Sequence, residues 1–310
     1  GSLAVALTLA VEGSGQFRGG TGDGTNPAPI TPTPDRTSAD LPLATQAIQS
    51  TQAASPPATP PDERAVEPTG GTGPIVCLDP GHGGKDLGKT IYTAEGEVIV
   101  TESELVLAQA LDLRDRLEAQ GLTVVLTRTE DELVNASGED VNGDGEAGEE
   151  GASTELDDLQ ARINVCNEAG ADLLVSLHIN GSENEALRGY EAWYTEGRPF
   201  SDDSARITEL IHDELRNHIT ASGYEATSRG WADDSLLFPG DGPGTFEHLV
   251  LTGPSVAGYI EGSAMPGVTA ETLFLSNDDD AEYLQTPAGH DAIVTAYESA
   301  ILEYFDLPAE

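Results

Sequence analysis

From Pro74 onward the chain alternates short apolar runs with amphipathic stretches of helical period, and that alternation limits its fold more than any other feature. Ile75-Val76-Cys77-Leu78 is an apolar run ending in Asp79-Pro80-Gly81, the pattern of a buried strand entering a turn. Glu104 to Ala119 carries Leu105, Ala108, Leu111 and Leu117 with charges between them, which predicts an amphipathic helix closed by Gly121. Further strands are expected at Thr123–Thr127, Asp172–Leu177, Tyr190–Thr195 and Val268–Leu273, and further helices at Leu156–Ala169, Ala205–Ile219 and Asp291–Tyr304. This succession implies an α/β fold, a mixed and mostly parallel sheet with helices on both faces. In such sheets, sites gather at the carboxyl ends of the strands.

Ahead of Pro74 the texture is different. Gly1-Ser2 reads as an expression scar, and Leu3 to Ala10 as the remnant of a signal or anchor segment, with a short strand or unordered end as the alternative. That apolar run is too short to span a bilayer. Glu12 to Gly73 is dominated by Pro, Thr, Ser, Ala and Gly, which cannot bury enough apolar surface to offset ordering entropy. The expected organisation is therefore a remnant and disordered linker over 1–73 and one folded domain over 74–310. A linker behind an apolar remnant implies a domain tethered at a distance from a membrane.

Charge excludes some partners. With 55 acidic residues against 14 basic ones, the formal net charge is -41, so phosphate backbones and anionic membrane surfaces are repelled. No nucleic-acid partner is expected. Lys85 and Lys89 are the only lysines. Cys77 and Cys166 each sit in an apolar run, and two buried free thiols are expected there, with a single disulfide as the alternative.

Two of the histidines follow expected strands directly. His82 lies in Asp79-Pro80-Gly81-His82-Gly83-Gly84, and His178 ends Leu174-Val175-Ser176-Leu177-His178. Two imidazoles at one sheet edge can share a metal, or they can be ordinary polar residues at strand ends. The wider pattern resembles the zinc-dependent N-acetylmuramoyl-L-alanine amidases of the type-3 catalytic domain. Four blocks carry the resemblance, in order: Leu78 to Gly88, Glu102 to Ala108, Ala171 to Asn180, and Met265 to Asn277.

The resemblance implies His82, Glu102 and His178 as zinc ligands and Glu271 as the catalytic carboxylate. It also implies peptidoglycan, both stem peptide and glycan, as substrate and a secreted or extracytoplasmic location. Two imidazoles and one carboxylate suit Zn²⁺ and leave a fourth position open. A carboxylate that is not a ligand must then take a proton from water and return it to the leaving amine. Glu271 is expected in that role, the alternative being a buried Glu held against a basic partner. Glu104 competes with Glu102, since a carboxylate at a helix start is favoured by the helix dipole with or without metal. The family register selects Glu102. Arg229 matches a family arginine near substrate, with a surface salt bridge as the alternative. Asn180, beside His178, is taken with it as a substrate contact. His212 and His218 read as surface or helix-packing residues, and His248 and His290 carry no ligand assignment.

Two stretches depart from the family. An acidic insert at about 134–155 contains Asp140, Asn142 and Asp144 at the alternate spacing of a calcium loop, with Gly145 at the sharp turn. Ca²⁺ and a plain solvated acidic loop are the alternatives there, because the closing Glu is replaced by Gly151. A long loop at about 231–264, rich in Gly and Pro, reads as a lid or cleft wall. Two other functions compete with an enzyme: a peptidoglycan-binding domain silenced by an occluding loop, and a calcium-stabilised acidic surface protein.

Overall fold

Successive side chains on a strand point to opposite faces, so the order of residues in each strand decides which of them reach the core and which reach a site. The structure, a computed structural model, describes residues 73–238 and 246–308, all within one compact unit. The apolar remnant and all but the last residue of the expected linker lie outside the described residues. So do Pro239 to Thr245.

The elements in chain order are β1 (Ile75–Pro80), β2 (Thr90–Tyr92), β3 (Val98–Thr101), α1 (Glu102–Ala119), β4 (Thr123–Leu126), α2 (Glu155–Glu168) and β5 (Leu173–Asn180). They continue as β6 (Tyr190–Tyr194), α3 (Ser201–Ala221), β7 (Ser228–Asp233), β8 (Gly267–Phe274), α4 (Asp278–Leu284) and α5 (Pro287–Tyr304). The main sheet has the order β4-β1-β5-β8-β6-β7. Only the β6–β8 pairing is antiparallel; the other pairs in this sheet are parallel. The mixed, mostly parallel sheet is therefore as expected.

Alternation sorts the two faces. Val76, Leu78, Leu173, Val175, Leu177, Val268 and Ala270 join one core with residues of α1, α3 and α5. On the other face Cys77, Val125 and Leu174 pack with Ile163 and Cys166 of α2 and with Val250, Leu251, Ile260 and Met265. All the helices but α3 start where a side chain can satisfy a free N–H group. The Thr101 hydroxyl accepts from the Glu104 N–H, Thr154 from Asp157, and Thr286 from Gly289.

Several boundaries differ from the sequence reading. α1 starts at Glu102 rather than Glu104, and α5 at Pro287 rather than Asp291. Proline at the first helical position is favourable because its missing N–H has no partner to lose. The β2–β3 hairpin and α4 are too short to show a period. β7 corrects the long loop, whose first residues, Trp231 to Asp233, are an edge strand paired with β6. Its sequence, Ser-Arg-Gly-Trp-Ala-Asp, is half-exposed and lacks an apolar alternation.

The cysteines also correct the reading. Cys77 and Cys166 form a disulfide, with Cα atoms 5.5 Å apart and both residues wholly buried. Periodicity placed each one in the interior, but only the packing of α2 across β1 brings them face to face. No helix among the described residues is long and apolar enough to cross a membrane.

The disulfide joins positions 89 residues apart, and closing so long a loop restricts the unfolded chain strongly. The double replacement Cys77→Ala/Cys166→Ala is expected to lower unfolding free energy by roughly 2–4 kcal/mol. A denaturant midpoint equal to that of the parent chain would refute this contribution.

Candidate metal centre

The polar residues of the site share one face of the sheet because their strand positions have the same parity. Asp79 follows Cys77 on β1, Ser176, His178 and Asn180 follow Leu174 on β5, and Glu271 follows Thr269 on β8. Register then aligns them: His178 sits opposite Glu271, and Glu271 opposite Glu191 of β6. His82 enters from the turn after β1, and Glu102 is the first residue of α1. His82, Glu102, His178, Asn180 and Glu271 all line one cavity of about 510 Å³.

His82, Glu102 and His178 offer ligand atoms that all lie within 4.8 Å of one another. The His82 Nδ1 meets Asp86 Oδ2 at 2.8 Å, which turns Nε2 inward to 3.2 Å from Glu102 Oε1. That buried Nε2 has no hydrogen-bond partner. Glu102 Oε1 accepts from the Ile179 N–H at 2.9 Å and lies 3.1 Å from His178 Nδ1, while Oε2 accepts from the Lys89 N–H at 2.8 Å. An orphaned ring nitrogen facing a carboxylate and a second imidazole fits a divalent ion that takes N and O ligands. The surrounding glycines are required. A Cβ on Gly81 would fall 2.2 Å from the His178 ring, and one on Gly88 2.6 Å from Glu102 Oε2 and 2.7 Å from His82.

Charge follows from this geometry. Burial alone would lower the His82 pKa, but Glu102 and Asp86 outweigh it and push it up to about 10. Burial would raise Glu102, yet His82 and His178 together hold it well below the usual carboxylate range.

Beneath the cluster, two guanidiniums hold the turn that carries His82. Arg128 donates to the carbonyls of Pro80 (2.9 Å), Gly81 (2.8 Å) and Ser103 (2.8 Å). Arg162 donates to the carbonyls of Pro80 (3.0 Å) and His82 (2.6 Å) and bridges Asp79 (2.9 Å) and Asp158 (2.8 Å). Asp79 also accepts from the hydroxyls of Thr127 and Ser176. Burial would raise this carboxyl, but Arg162, with Thr127 and His178, holds it below its ordinary value. These supports steady a residue in the left-handed region, since His82 has φ 59°. The sequence reading missed Asp79, Asp86, Arg128 and Arg162. The available signals were an Asp in the otherwise apolar β1 and an Arg within α2 one turn from Asp158.

Glu271 is 4% exposed and has no ion-pair partner among the described residues, unlike the basic-partner alternative. Burial foremost, then Glu102 and Glu191, raise its pKa well above the ordinary value. Just beyond it β8 bulges against β5, and Leu273 adopts φ 67°. A non-glycine residue there costs about 1–3 kcal/mol, and burying the leucine side chain offsets this with about 1.5–3 kcal/mol. Asn180 donates to Glu191 Oε1 at 2.7 Å. Arg229 donates to Glu191 Oε2 at 2.7 Å and lies over Phe274, so it reaches the site through Glu191 and does not line the cavity.

The remaining candidates separate clearly. Glu104 is exposed, whereas Glu102 is buried in the cluster. His212 packs between α3 and the sheet, bonded to Ser228 at 2.7 Å, and His218 pairs with Glu214 on its own helix. His290 bonds Asp112 on α1. Asp233, Asp234 and His248 also have clustered ligand atoms, but these already hold other groups. Asp234 meets His248 at 2.5 Å and accepts from the Leu249 N–H and the Thr195 hydroxyl, anchoring the segment that lines the cavity. In the acidic insert, Asp140 accepts from the N–H groups of Gly143 and Gly145, Asn142 from Asp144, and Asp144 from Glu146. Neither metal-capable group among the described residues includes them.

A family model described as N-acetylmuramoyl-L-alanine amidase matches residues 76–303. The germination-specific N-acetylmuramoyl-L-alanine amidase of Bacillus subtilis is 27% identical over 234 residues, 76% of this chain and 81% of that protein. The N-acetylmuramoyl-L-alanine amidase AmiA of Escherichia coli is 26% identical over 250 residues, covering 74% of this chain and 76% of its own. Among solved structures, the catalytic domain of CwlV from Bacillus (Paenibacillus) polymyxa superposes with a TM-score of 0.52 at 24% identity, over 76% of this chain and 99% of that one. The CwlD amidase of Clostridioides difficile, solved with the GerS lipoprotein, gives 0.54 at 22% identity, over 75% and 98%. At these identities the superpositions show the fold.

Two outcomes follow from the geometry. Gly88→Ala is expected to weaken divalent-metal affinity by roughly 10–100-fold, the range for disturbing a ligand's support, as read by competition with a chromophoric chelator; unchanged affinity would contradict the cradle. The metal-free chain keeps His82 protonated until its pKa of about 10, so metal must displace that proton at pH 8. Calorimetry in buffers of different ionisation enthalpy should then register about one proton released, with none released refuting the assignment. In the metal-free chain the same proton stabilises the fold fully below the ordinary 6.5, and that stability is lost as pH rises through about 10.

Proposed function

This chain belongs to the N-acetylmuramoyl-L-alanine amidase family, and we propose that it is a zinc-dependent peptidoglycan hydrolase acting outside the cytoplasm. The bond cut is the amide joining the lactyl group of N-acetylmuramic acid to L-alanine. One observation carries the reading: a His-Glu-His cluster and a separate, buried carboxylate open onto the same cavity.

His82, Glu102 and His178 would hold the ion. Zinc bound there supplies a Lewis acid for the scissile carbonyl and acidifies water. Asp86 fixes the His82 ring and selects which nitrogen faces the cluster. The Ile179 and Lys89 N–H groups fix the Glu102 carboxylate. Glu271 then moves the proton. Its carboxylate takes one from the attacking water and returns it to the alanine nitrogen as the C–N bond breaks. The products are a free lactyl carboxylate and a stem peptide with a free amine. Burial and two neighbouring carboxylates raise its proton affinity, which a base that must later act as an acid requires. Asn180, on the cavity wall, is assigned as a substrate contact, with Arg229 steadying it through Glu191.

The disulfide supports an oxidising compartment, as does a substrate that lies outside the cytoplasm. Residues 1–73 are assigned as tether and linker to the catalytic domain over 74–310. The silent binding-domain reading has less support, because a retained base facing the ligand cluster serves turnover rather than binding. Calcium enters no part of this mechanism.

Purified peptidoglycan incubated with the zinc-loaded chain should release peptides beginning at L-alanine, identified by mass. Chelation should abolish release and zinc restore it. Glu271→Gln should retain zinc and lose at least about a hundredfold in turnover. Release unaffected by that substitution would remove Glu271 from the mechanism; no release by the zinc-loaded parent chain would remove the amidase reading itself.

A further inference from the structure

In a chain with 55 acidic residues and 14 basic ones, a cation without an anionic partner is an exception that needs a reason. Every arginine among the described residues is engaged by carboxylates or backbone carbonyls. Lys85 and Lys89 are not. Among the described residues neither ammonium has a carboxylate or hydrogen-bond partner, and both line the metal cavity. The surplus of carboxylates reaches into that cavity too, where Asp86 and Glu155 contribute to the wall. Burial and Asp86 push Glu155 up to about 7, and neither lysine relieves it.

The two lysines flank the ligand cluster from different sides. Lys89 is half-buried, and its backbone brackets Glu102: its N–H donates to Glu102 Oε2 and its carbonyl accepts from the Glu102 N–H, both at 2.8 Å. Its stem crosses Gly181 at the end of β5, where a Cβ would fall 2.8 Å from Lys89 Cδ. Lys85 is exposed, three residues past His82, with its Cε 3.9 Å from a Cβ built on Gly151, near the start of α2. Each ammonium is thus carried on a turn fixed by a metal ligand, while its charge is left for something outside the chain.

We infer that Lys85 and Lys89 form an anion subsite that receives free carboxylates of the stem peptide and orients the scissile amide toward the His82–Glu102–His178 cluster. The inference rests on the amidase reading and goes beyond it, to the chemical class of peptide selected. A stem peptide carries carboxylates beyond its first alanine, so their partners belong on the cavity wall rather than at the metal ligands. Without these two cations, a chain of net charge -41 would repel such a peptide along its whole approach. A peptide whose carboxylates are amidated forfeits the attraction and is disfavoured.

The test compares kcat/KM of the zinc-loaded chain on two muropeptides, one with free carboxylates and one with them amidated. The parent chain should prefer the free acid, the more so at low salt. Lys85→Gln and Lys89→Met, the latter keeping an apolar stem over Gly181, should each reduce the preference ratio by roughly tenfold, as expected for losing a charge-assisted contact. Lys→Arg at either position should retain most of it. A ratio equal in the parent and the double variant would overturn the subsite, even with turnover intact. Equilibrium binding of the free-acid stem peptide separates the two readings. Lysine-dependent binding without any turnover by the parent chain would sink the amidase reading and keep the subsite. Turnover with lysine-indifferent binding would do the reverse.

Discussion

The buried contacts of Arg162 and Arg128 with the Asp79–His82 turn are the interactions on which the rest of the site depends. A metal ligand on a loop normally inherits the looseness of the loop. Here the carbonyls of Pro80, Gly81 and His82 are each held by a guanidinium, and Arg162 is itself neutralised by Asp79 and Asp158. Removing one partner of such a buried pair costs about 3–5 kcal/mol, because the other charge is left without solvent. That is a large fraction of the roughly 5–15 kcal/mol that separates folded from unfolded domains. The arrangement therefore makes the left-handed His82 conformation a condition of folding rather than an optional state.

The disulfide acts on the same pair of elements. Cys166 lies one helical turn beyond Arg162 on α2, and Cys77 two residues before Asp79 on β1. Both the covalent link and the ion pair thus fasten α2 against β1 over a short span. The apolar contacts of Ile163 and Leu174 fill the space between. Core packing, crosslink and polar clamp set one relative position of helix and strand, and the His82 turn inherits it.

A division of labour between faces lets one sheet serve stability and chemistry. The face toward α1, α3 and α5 is mainly apolar, with the Thr272 hydroxyl paired to Tyr297 of α5. The opposite face begins apolar and turns polar toward the strand ends, through Asp79, Ser176, His178 and Glu271. Carboxylates concentrated there are pushed in opposite directions: two imidazoles hold Glu102 well below the usual carboxylate range, while burial, Glu102 and Glu191 raise Glu271 well above it. Two chemically identical side chains thereby differ in proton affinity through their neighbours alone.

The sequence by itself determined the element order and the sheet class, because apolar periodicity is a local property visible within a dozen residues. It also marked His82, Glu102, His178 and Glu271 through their surrounding motifs. Other features needed coordinates. Edge strand β7 and the β2–β3 hairpin carry too few buried residues to leave a periodic trace. The choice between thiols and a disulfide and the service of Arg229 to Glu191 depend on distances between residues far apart in the chain. Tertiary structure alone decided these, since burial can be read from one segment but a partner across the fold cannot.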